Sequence, residues 1–267
     1  MSINKPLSNT HIMVTRPAHQ ASRLIDLLEV AGAKILCLPL IEIAAIKEPK
    51  AAIEQVKALP QADIVIFISQ NAVTHGMSLI HQHGELPANV KLATVGLGSA
   101  NLLGHLTDRE VEIVPLGDFN SEGLLSHPEL QDIEGKKITI FRGIGGRNVL
   151  ADTLSNRGAR VSYAEVYQRQ QPTLDLESLA KIWLNDPIDY ICITSGAGIE
   201  NLVANISKQN TPAQLRTNII NTQLIIVNKR LLSLVQENGF TKPAIITNNV
   251  SDKDIVDAII KHKSTSI

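Results

Sequence analysis

The chain has 267 residues, of which 44% are hydrophobic, 19% charged and 3% aromatic. This length favours two domains over one, and the composition is that of a globular protein able to bury two cores. The 25 Lys and Arg residues nearly balance 26 Asp and Glu residues, which argues against a field that attracts nucleic acid or membrane, and the low aromatic content argues against stacking on single-stranded nucleic acid.

The first ten residues are polar and lack the apolar segment of a secretory signal. No apolar run approaches the roughly 20 residues that span a bilayer. Cys37 and Cys192 lie in apolar strand-like runs, which favours two buried thiols over a disulfide, and no metal-type spacing is present. We therefore expect a cytoplasmic protein without a metal site.

Apolar runs with strand character alternate with helical patterns along the whole chain. The expected strands are residues 11–15, 34–40, 63–69, 91–95, 111–114, 137–141, 159–169, 188–194, 223–227 and 244–247. The expected helices are residues 24–31, 51–59, 72–80, 99–106, a short helix capped by Ser121, 149–154, 176–184, one opened by 195–198, 230–237 and 252–262. Strands that alternate with helices predict the α/β class with parallel sheets.

The sequence contains an internal duplication with an offset of 126 residues. Residues of the same or similar type recur at this offset in the pairs Arg16/Arg142, Leu24/Leu150, Leu28/Leu154, Gly32/Gly158, Ala33/Ala159, Asp63/Asp189 and Ser69/Ser195. Two similar domains follow from this, either as contiguous halves or with one domain discontinuous. In the second arrangement each domain holds one arginine turn and one serine turn, and periodicity alone leaves both arrangements open.

Small or hydroxyl residues occur at several turns that lead into a predicted helix. These turns are residues 69–71, 96–99, 121–123, 142–143 and 194–196. A helix N-terminus presents amide donors and a positive partial charge, so each turn can hold an anion, although capping of its own helix is the simpler interpretation for any one of them. Five turns with Arg16, Arg142 and Arg147 nearby favour a polyanionic ligand in a cleft between domains.

Conventional catalytic motifs are absent from the sequence: there is no nucleophile elbow, Walker-type phosphate loop, dinucleotide fingerprint or histidine-rich metal cluster. Residues 143–146 are glycine-rich but lack the spacing of a dinucleotide loop. His81 and His83 are interpreted as part of a solvated loop, and Trp183 and Leu184 as the core face of a helix.

Two tyrosines lie in the predicted strand 159–169. Core packing is the default interpretation of Tyr163. Tyr167 lies where this strand would leave its domain, and a phenol at that place can reach a cleft and donate a proton.

Seven short motifs, taken in order and spacing, resemble the uroporphyrinogen-III synthase family, most closely its proteobacterial members. The resemblance covers nearly the whole chain. Its motifs are VTRP at 14–17, PLIE at 39–42, ISQNAV at 68–73, SEGLL at 121–125, FRGIGGR at 141–147, VYQR at 166–169 and TSG at 194–196.

This resemblance implies two flavodoxin-like domains, each a parallel sheet flanked by helices, joined by a two-stranded linker. Domain 1 would combine residues 1–38 with 171–267, domain 2 would be residues 41–168, and the linkers would lie near 39–40 and 166–170. The implied protein is a lyase that closes hydroxymethylbilane to uroporphyrinogen III with loss of water and inversion of the last ring. It would act without a cofactor, as a monomer that contacts the preceding enzyme of the pathway transiently.

The resemblance also implies roles for particular residues. Tyr167 matches the family's tyrosine that assists departure of the hydroxyl group. The implied substrate-binding residues are Arg16, Ser69, Gln70, Asn71, Ser99, Ser121, Glu122, Gly123, Arg142, Gly143, Gly146, Arg147, Thr194, Ser195 and Gly196. The chain departs from the family at Asn228-Lys229-Arg230, where many members have a glycine-proline turn, and at Leu97-Gly98, where hydroxyl or basic residues are common.

Two other functions are compatible with the residues alone. One is a non-catalytic two-domain binding protein for a polycarboxylate or phosphorylated ligand, which the absence of a signal peptide disfavours. The other is a flavodoxin-like nucleotide-binding regulator, which the missing phosphate fingerprint disfavours.

Overall fold

The computed structural model describes residues 5–247, 249 and 251–265. These residues form ten strands: β1 His11–Val14, β2 Lys34–Cys37, β3 Glu42–Ala45, β4 Ile64–Phe67, β5 Lys91–Thr94, β6 Lys137–Gly143, β7 Arg160–Gln170, β8 Tyr190–Ile193, β9 Gln223–Ile226 and β10 Ile245–Ile246. They also form eleven helices: α1 Ala18–Val30, α2 Lys50–Ala58, α3 Gln70–His83, α4 Leu97–Thr107, α5 Ser121–Leu125, α6 Val149–Asn156, α7 Leu176–Asn185, α8 Gly196–Ile206, α9 Ala213–Ile220, α10 Leu232–Glu237 and α11 Asp252–Thr265. The α/β prediction is confirmed.

The chain divides into two compact units, each with its own sheet. Unit 1 takes in the described residues up to Glu42 and those from Gln170 onward, and unit 2 is Ile43–Arg169. Unit 1 therefore draws on both ends of the chain, and unit 2 is a single insertion.

The sheet of unit 1 has the order β2-β1-β8-β9-β10, and its strand pairs are all parallel. Numbered within the unit, this is the order 2-1-3-4-5 of flavodoxin-like sheets. Met13 packs into a cluster with Trp183 and Leu202, whereas its neighbours in β1, Ile12 and Val14, belong to a second cluster. Both faces of the sheet are thus buried under helices, as parallel sheets require.

The sheet of unit 2 has the order β3-β7-β6-β4-β5, in which β7, β6, β4 and β5 run parallel. Ile64 and Ile66 pack on one face, and Val65 and Phe67 on the other. Phe67 stacks on Phe141 of β6 with 4.7 Å between ring centroids.

The duplication is visible in the strand orders. The strand order β2-β1-β8-β9 in unit 1 corresponds to the strand order β7-β6-β4-β5 in unit 2. Each unit therefore combines two strands from each repeat. Even a hydrogen bond is repeated: the Asp63 carboxylate accepts from the Lys137 N–H, and the Asp189 carboxylate accepts from the His11 N–H, both at 2.8 Å.

Several local expectations are corrected by the structure. Residues 111–114 form no strand among the described residues, since only Ile113 bridges to Ala93 of β5. β3 and α9 were not predicted. His81 and His83 belong to the last turn of α3 and not to a loop, because the helix continues to His83 and Gly84 is its C-cap.

Two side chains also differ in exposure from the prediction. Leu184 is exposed, and only Trp183 of that pair faces the core. Cys37 is exposed on the edge strand β2, whereas Cys192 in the central strand β8 is buried. Burial raises the pKa of the Cys192 thiol to about 12, so this group stays protonated at neutral pH.

Candidate functional site

A cavity of about 410 Å³ lies in unit 2, around the carboxyl ends of β4, β5 and β6. Carboxyl ends of parallel strands are the usual place of ligand sites in open α/β sheets. The lining residues are Ile68, Val95, Phe119, Asn120, Ser121, Arg142, Gly143, Ile144, Gly145, Gly146, Arg147, Tyr167 and Arg169. The predicted tyrosine and the predicted glycine-rich turn therefore meet at one place.

Tyr167 is almost fully buried, with 3% of its surface exposed, and is one of the residues that line this cavity. Its hydroxyl lies 3.3 Å from Ser69 Oγ. Ser69 is the N-cap of α3 and accepts a hydrogen bond from the Ala72 N–H at 3.1 Å. The Tyr167 ring stacks on His75, with centroids 5.8 Å apart. The phenol is thus held from two sides, and its hydroxyl can donate or accept a proton beside Ser69.

Arg142 lines the cavity, but its guanidinium is engaged within the protein. Nε donates to the Gly143 carbonyl at 3.2 Å and Nη1 to Asn148 Oδ1 at 3.2 Å, while Nη2 donates to the Gly145 carbonyl. The guanidinium also lies over the Tyr163 ring, 4.5 Å from its centroid. With 4% of its surface exposed, Arg142 shapes the loop that forms the cavity wall.

The loop after Arg142 needs its glycines. Gly145 and Gly146 have φ angles of +75° and +99°, in the left-handed region that disfavours other residues. The amide groups of Gly145, Gly146 and Arg147 donate no hydrogen bond to any described residue. Such amide groups at a cavity wall are suited to an anionic ligand.

The neighbouring turns supply further predicted residues. Ser99 lies buried in the first turn of α4, and the Gln70 side chain lies close beside Gly98 of the same turn. At α5 the prediction that Ser121 is the N-cap is wrong. Asn120 caps that helix, because its side chain accepts from the Gly123 N–H at 2.7 Å.

Glu122 and Arg147 form an exposed ion pair at 3.1 Å. Asn71 is in the first turn of α3, directly after Gln70. These residues belong to the same strand-to-helix turns as the lining residues, so unit 2 contains most of the predicted site.

The remaining predicted residues belong to unit 1, also at carboxyl ends of strands. Ser195 is the N-cap of α8 and accepts from the Gly198 N–H at 3.1 Å, with Thr194 and Gly196 beside it. Arg16 follows β1 and forms an ion pair with Asp252 of α11. Asn228-Lys229-Arg230 leads from β9 into a short turn before α10.

Sequence reasoning missed four residues that contact predicted ones: His75, Asn148, Asp252 and, as a partner of Arg142, Tyr163. His75 lies four residues after Asn71, so helical spacing puts it on the same face of α3 and was a usable signal. Asp252 is 236 residues from Arg16, and no local pattern relates them.

The described part of the chain contains no cluster of three or more His, Cys, Asp or Glu residues that could hold a metal ion. In that same part, no helix is both long and apolar enough to cross a membrane.

Comparison with known proteins places the chain in a family. The family model described as uroporphyrinogen-III synthase HemD matches residues 22–242. Uroporphyrinogen-III synthase of Escherichia coli (strain K12) is 31% identical over 243 residues, covering 90% of this chain and 96% of that protein. The synthase of Proteus mirabilis is 34% identical over 182 residues, covering 68% of this chain and 91% of that protein.

Solved structures agree at the level of the fold. The synthase of Helicobacter pylori 26695 has a TM-score of 0.58 at 15% identity, covering 95% of this chain and 99% of that one. A mutant synthase of Thermus thermophilus has a TM-score of 0.57 at 19% identity, covering 97% of this chain and 100% of that one. The resemblance seen in the sequence motifs is confirmed, and the chain belongs to the uroporphyrinogen-III synthase family.

Proposed function

We propose that this protein is a lyase that cyclises hydroxymethylbilane to uroporphyrinogen III, with loss of water and inversion of the last ring. The observation that carries the proposal is the family match over residues 22–242. The site supports it because the buried Tyr167 is among the residues that line a cavity, together with a loop that presents backbone amide groups.

In this reaction the carbon–oxygen bond of the hydroxymethyl group breaks, and the oxygen leaves as water after taking up a proton. We propose that the Tyr167 phenol supplies that proton. The azafulvene cation that remains is attacked by the substituted carbon of the last ring, which already carries a bond to the neighbouring bridging methylene. That older bond then breaks, the released methylene bonds to the unsubstituted α-carbon of the same ring, and this carbon loses its proton, which leaves the last ring inverted. Because this cation is stabilised and reactive, positioning can carry most of the rate effect, for which effective molarity can supply roughly 7–11 kcal/mol.

The substrate carries acetate and propionate groups, which suit helix N-termini and arginines. We propose as their binding groups the turns that contain Ser69, Gln70, Asn71, Ser99, Ser121, Glu122, Gly123, Gly143, Gly146 and Arg147 in unit 2, and Arg16, Thr194, Ser195 and Gly196 in unit 1. Arg142 belongs to this set through the loop that it shapes. We also propose that the two units act as domains, with linkers near 39–40 and 166–170.

The test is to supply hydroxymethylbilane and to resolve the uroporphyrinogen isomers by chromatography, with a heat-inactivated sample as the control. We expect the type III isomer from the active protein and the spontaneous type I isomer from the control. Type I alone in both samples would contradict the proposal. Binding of the bilane without a change in isomer would then favour the non-catalytic binding protein. Cytoplasmic location, the monomeric state and contact with the preceding pathway enzyme stay predictions.

A further inference from the structure

The pairing of β6 with β7 is irregular at the point where both strands reach the cavity. From Lys137 to Arg142 the register is regular, ending with Arg142 opposite Glu165. The next pair is Gly143 opposite Tyr167, so Val166 is an additional residue on β7. This is a β-bulge, a feature that commonly re-aims a side chain.

The bulge changes the face on which Tyr167 lies. In an unbroken strand Tyr163 and Tyr167 share one face, because successive side chains alternate. Here Tyr163 packs against the cluster on one side of the sheet, whereas Tyr167 joins Ala164 and Val166 in the cluster on the other side. Without the additional residue, the Tyr167 hydroxyl would point away from Ser69 and α3.

The Tyr167 ring packs directly against the backbone of Gly143, with no room for a side chain between them. A Cβ atom at Gly143 would lie 2.5, 2.6 and 3.0 Å from three ring carbons of Tyr167. Contacts under 3.0 Å are sterically forbidden, so any side chain at 143 must displace the ring. Since the ring is buried between this backbone and His75, it cannot swing freely into solvent.

Two hydrogen bonds hold the backbone of Gly143 and Ile144 in this place. The Ile144 N–H donates to the Tyr167 carbonyl at 2.8 Å, which closes the bulge. The Arg142 guanidinium donates to the Gly143 carbonyl from within the loop. The peptide group between Gly143 and Ile144 is therefore held through both its carbonyl and its N–H, directly after the contact with the tyrosine ring.

We propose that Gly143 is a positioning residue for Tyr167: the bulge turns the tyrosine toward Ser69, and the bare backbone at 143 admits its ring at the depth that brings the hydroxyl beside Ser69 Oγ. The importance of this placement for catalysis rests on the proposed function. The placement itself does not, and it can be measured independently.

The first experiment observes the ring directly by NMR, with ¹³C-labelled tyrosine in the full chain. The protein has three tyrosines, and Tyr167→Phe identifies the signal of Tyr167. We expect Gly143→Ala to shift the Tyr167 ring signal and to leave Tyr190, in unit 1, unchanged. Gly117→Ala is the matched control, since a Cβ there meets no atom within 4 Å, and it should shift neither signal. An unchanged Tyr167 signal in Gly143→Ala would overturn the proposal whatever the protein catalyses.

The second experiment is a double-mutant cycle on formation of the type III isomer. We expect Gly143→Ala to lower kcat about tenfold with KM changed less than about twofold, and to cause no further loss when combined with Tyr167→Phe. A merely structural role of Gly143 would lower activity equally in both backgrounds, and that result would contradict the proposal. If wild-type protein forms no type III isomer, the proposed function fails, and the NMR result alone decides the placement.

A third variant covers the case in which Gly143→Ala does not fold. Tyr167→Ala removes the ring and leaves space for the added methyl group. The double variant Gly143→Ala/Tyr167→Ala should then fold with the unfolding midpoint of Tyr167→Ala alone. If the double variant also fails to fold while Tyr167→Ala folds, the clash is not with Tyr167 and the proposal is wrong.

Discussion

The two arginines that the duplication relates have different surroundings. Arg16 in unit 1 is followed by Pro17, and α1 begins at once at Ala18. Arg142 in unit 2 is followed by Gly143, and α6 begins only at Val149. With the offset of 126 residues, the first turns of the unit 1 helix correspond to the loop in unit 2.

The difference has a physical cause in the residues after each arginine. Proline fixes φ near the helical value and suits a helix start, whereas glycine is disfavoured in a helix by about 1 kcal/mol relative to alanine. Three glycines within Gly143–Gly146 therefore favour a loop. Arg142 fills that loop, while Arg16 instead pairs with Asp252 at the start of α11. Divergence at this turn thus gives unit 2 the loop that lines its cavity.

The largest expected difference is in stability, between Arg142→Met and Arg16→Met. Arg142→Met leaves the carbonyls of the buried Gly143 and the exposed Gly145 without their charged donor, and a buried acceptor that loses such a partner costs about 3 kcal/mol. Arg16→Met leaves Asp252 at the N-terminus of α11, where the helix dipole still stabilises a carboxylate, so we expect a loss of about 1–2 kcal/mol. Urea unfolding measures both. If the two variants lose equal free energy of unfolding, the idea that Arg142 stabilises its loop more than Arg16 stabilises unit 1 is wrong.

The next comparison concerns the two tyrosines on either side of the bulge. General acid assistance typically contributes about 10²–10⁴-fold, but the reactive cation makes this departure easy, so we expect Tyr167→Phe to lower kcat about tenfold with activity remaining. Tyr163→Phe keeps the ring under Arg142 and loses only a hydroxyl 3.4 Å from Asn148. It should retain kcat within about twofold. Wild-type turnover in Tyr167→Phe would remove Tyr167 from the mechanism.

Removal of either serine cap should lower the free energy of unfolding by the same amount. Ser69→Ala and Ser195→Ala each remove one hydrogen bond to a helix N–H at 3.1 Å, and each should cost about 1 kcal/mol in urea unfolding. Ser69→Ala alone also removes the oxygen beside the Tyr167 hydroxyl, and we expect its kcat to fall about threefold. Stability losses that differ by more than about 1 kcal/mol would show that the repeats are not equivalent at this position.

The smallest expected effect is on acid stability. The Lys137 N–H, and then the Lys136 ammonium, lower the pKa of Asp63 from its ordinary value. A lowered pKa contributes stability that is present above the unfolded pKa of about 3.9 and is lost as pH falls through the folded pKa. Asp63→Asn should therefore reduce the drop in urea midpoint between about pH 7 and pH 3. If the urea midpoint of Asp63→Asn falls as far between these pH values as that of the wild type, Asp63 does not contribute to the loss of stability in acid.

The α/β class, nearly all strands and most helices were predictable because apolar runs of strand length alternate with helical spacing. β3 was missed because it is a strand of only four residues at a sheet edge, and none of the four is fully buried. The N-cap of α5 was assigned one residue too late because Asn120 and Ser121 are adjacent and both are good capping residues. Local signals of this kind determine that an element exists better than they determine where it begins.

The duplication, the family and the places where strands lead into helices follow from residue identity and spacing along the chain. The inward orientation of Arg142 and the position of Tyr167 on the face opposite Tyr163 are seen only once the strands are paired. The reason is that a bulge depends on pairing between two strands. The alternation within β7 contains no mark of Val166 as an additional residue until Gly143 is placed opposite Tyr167.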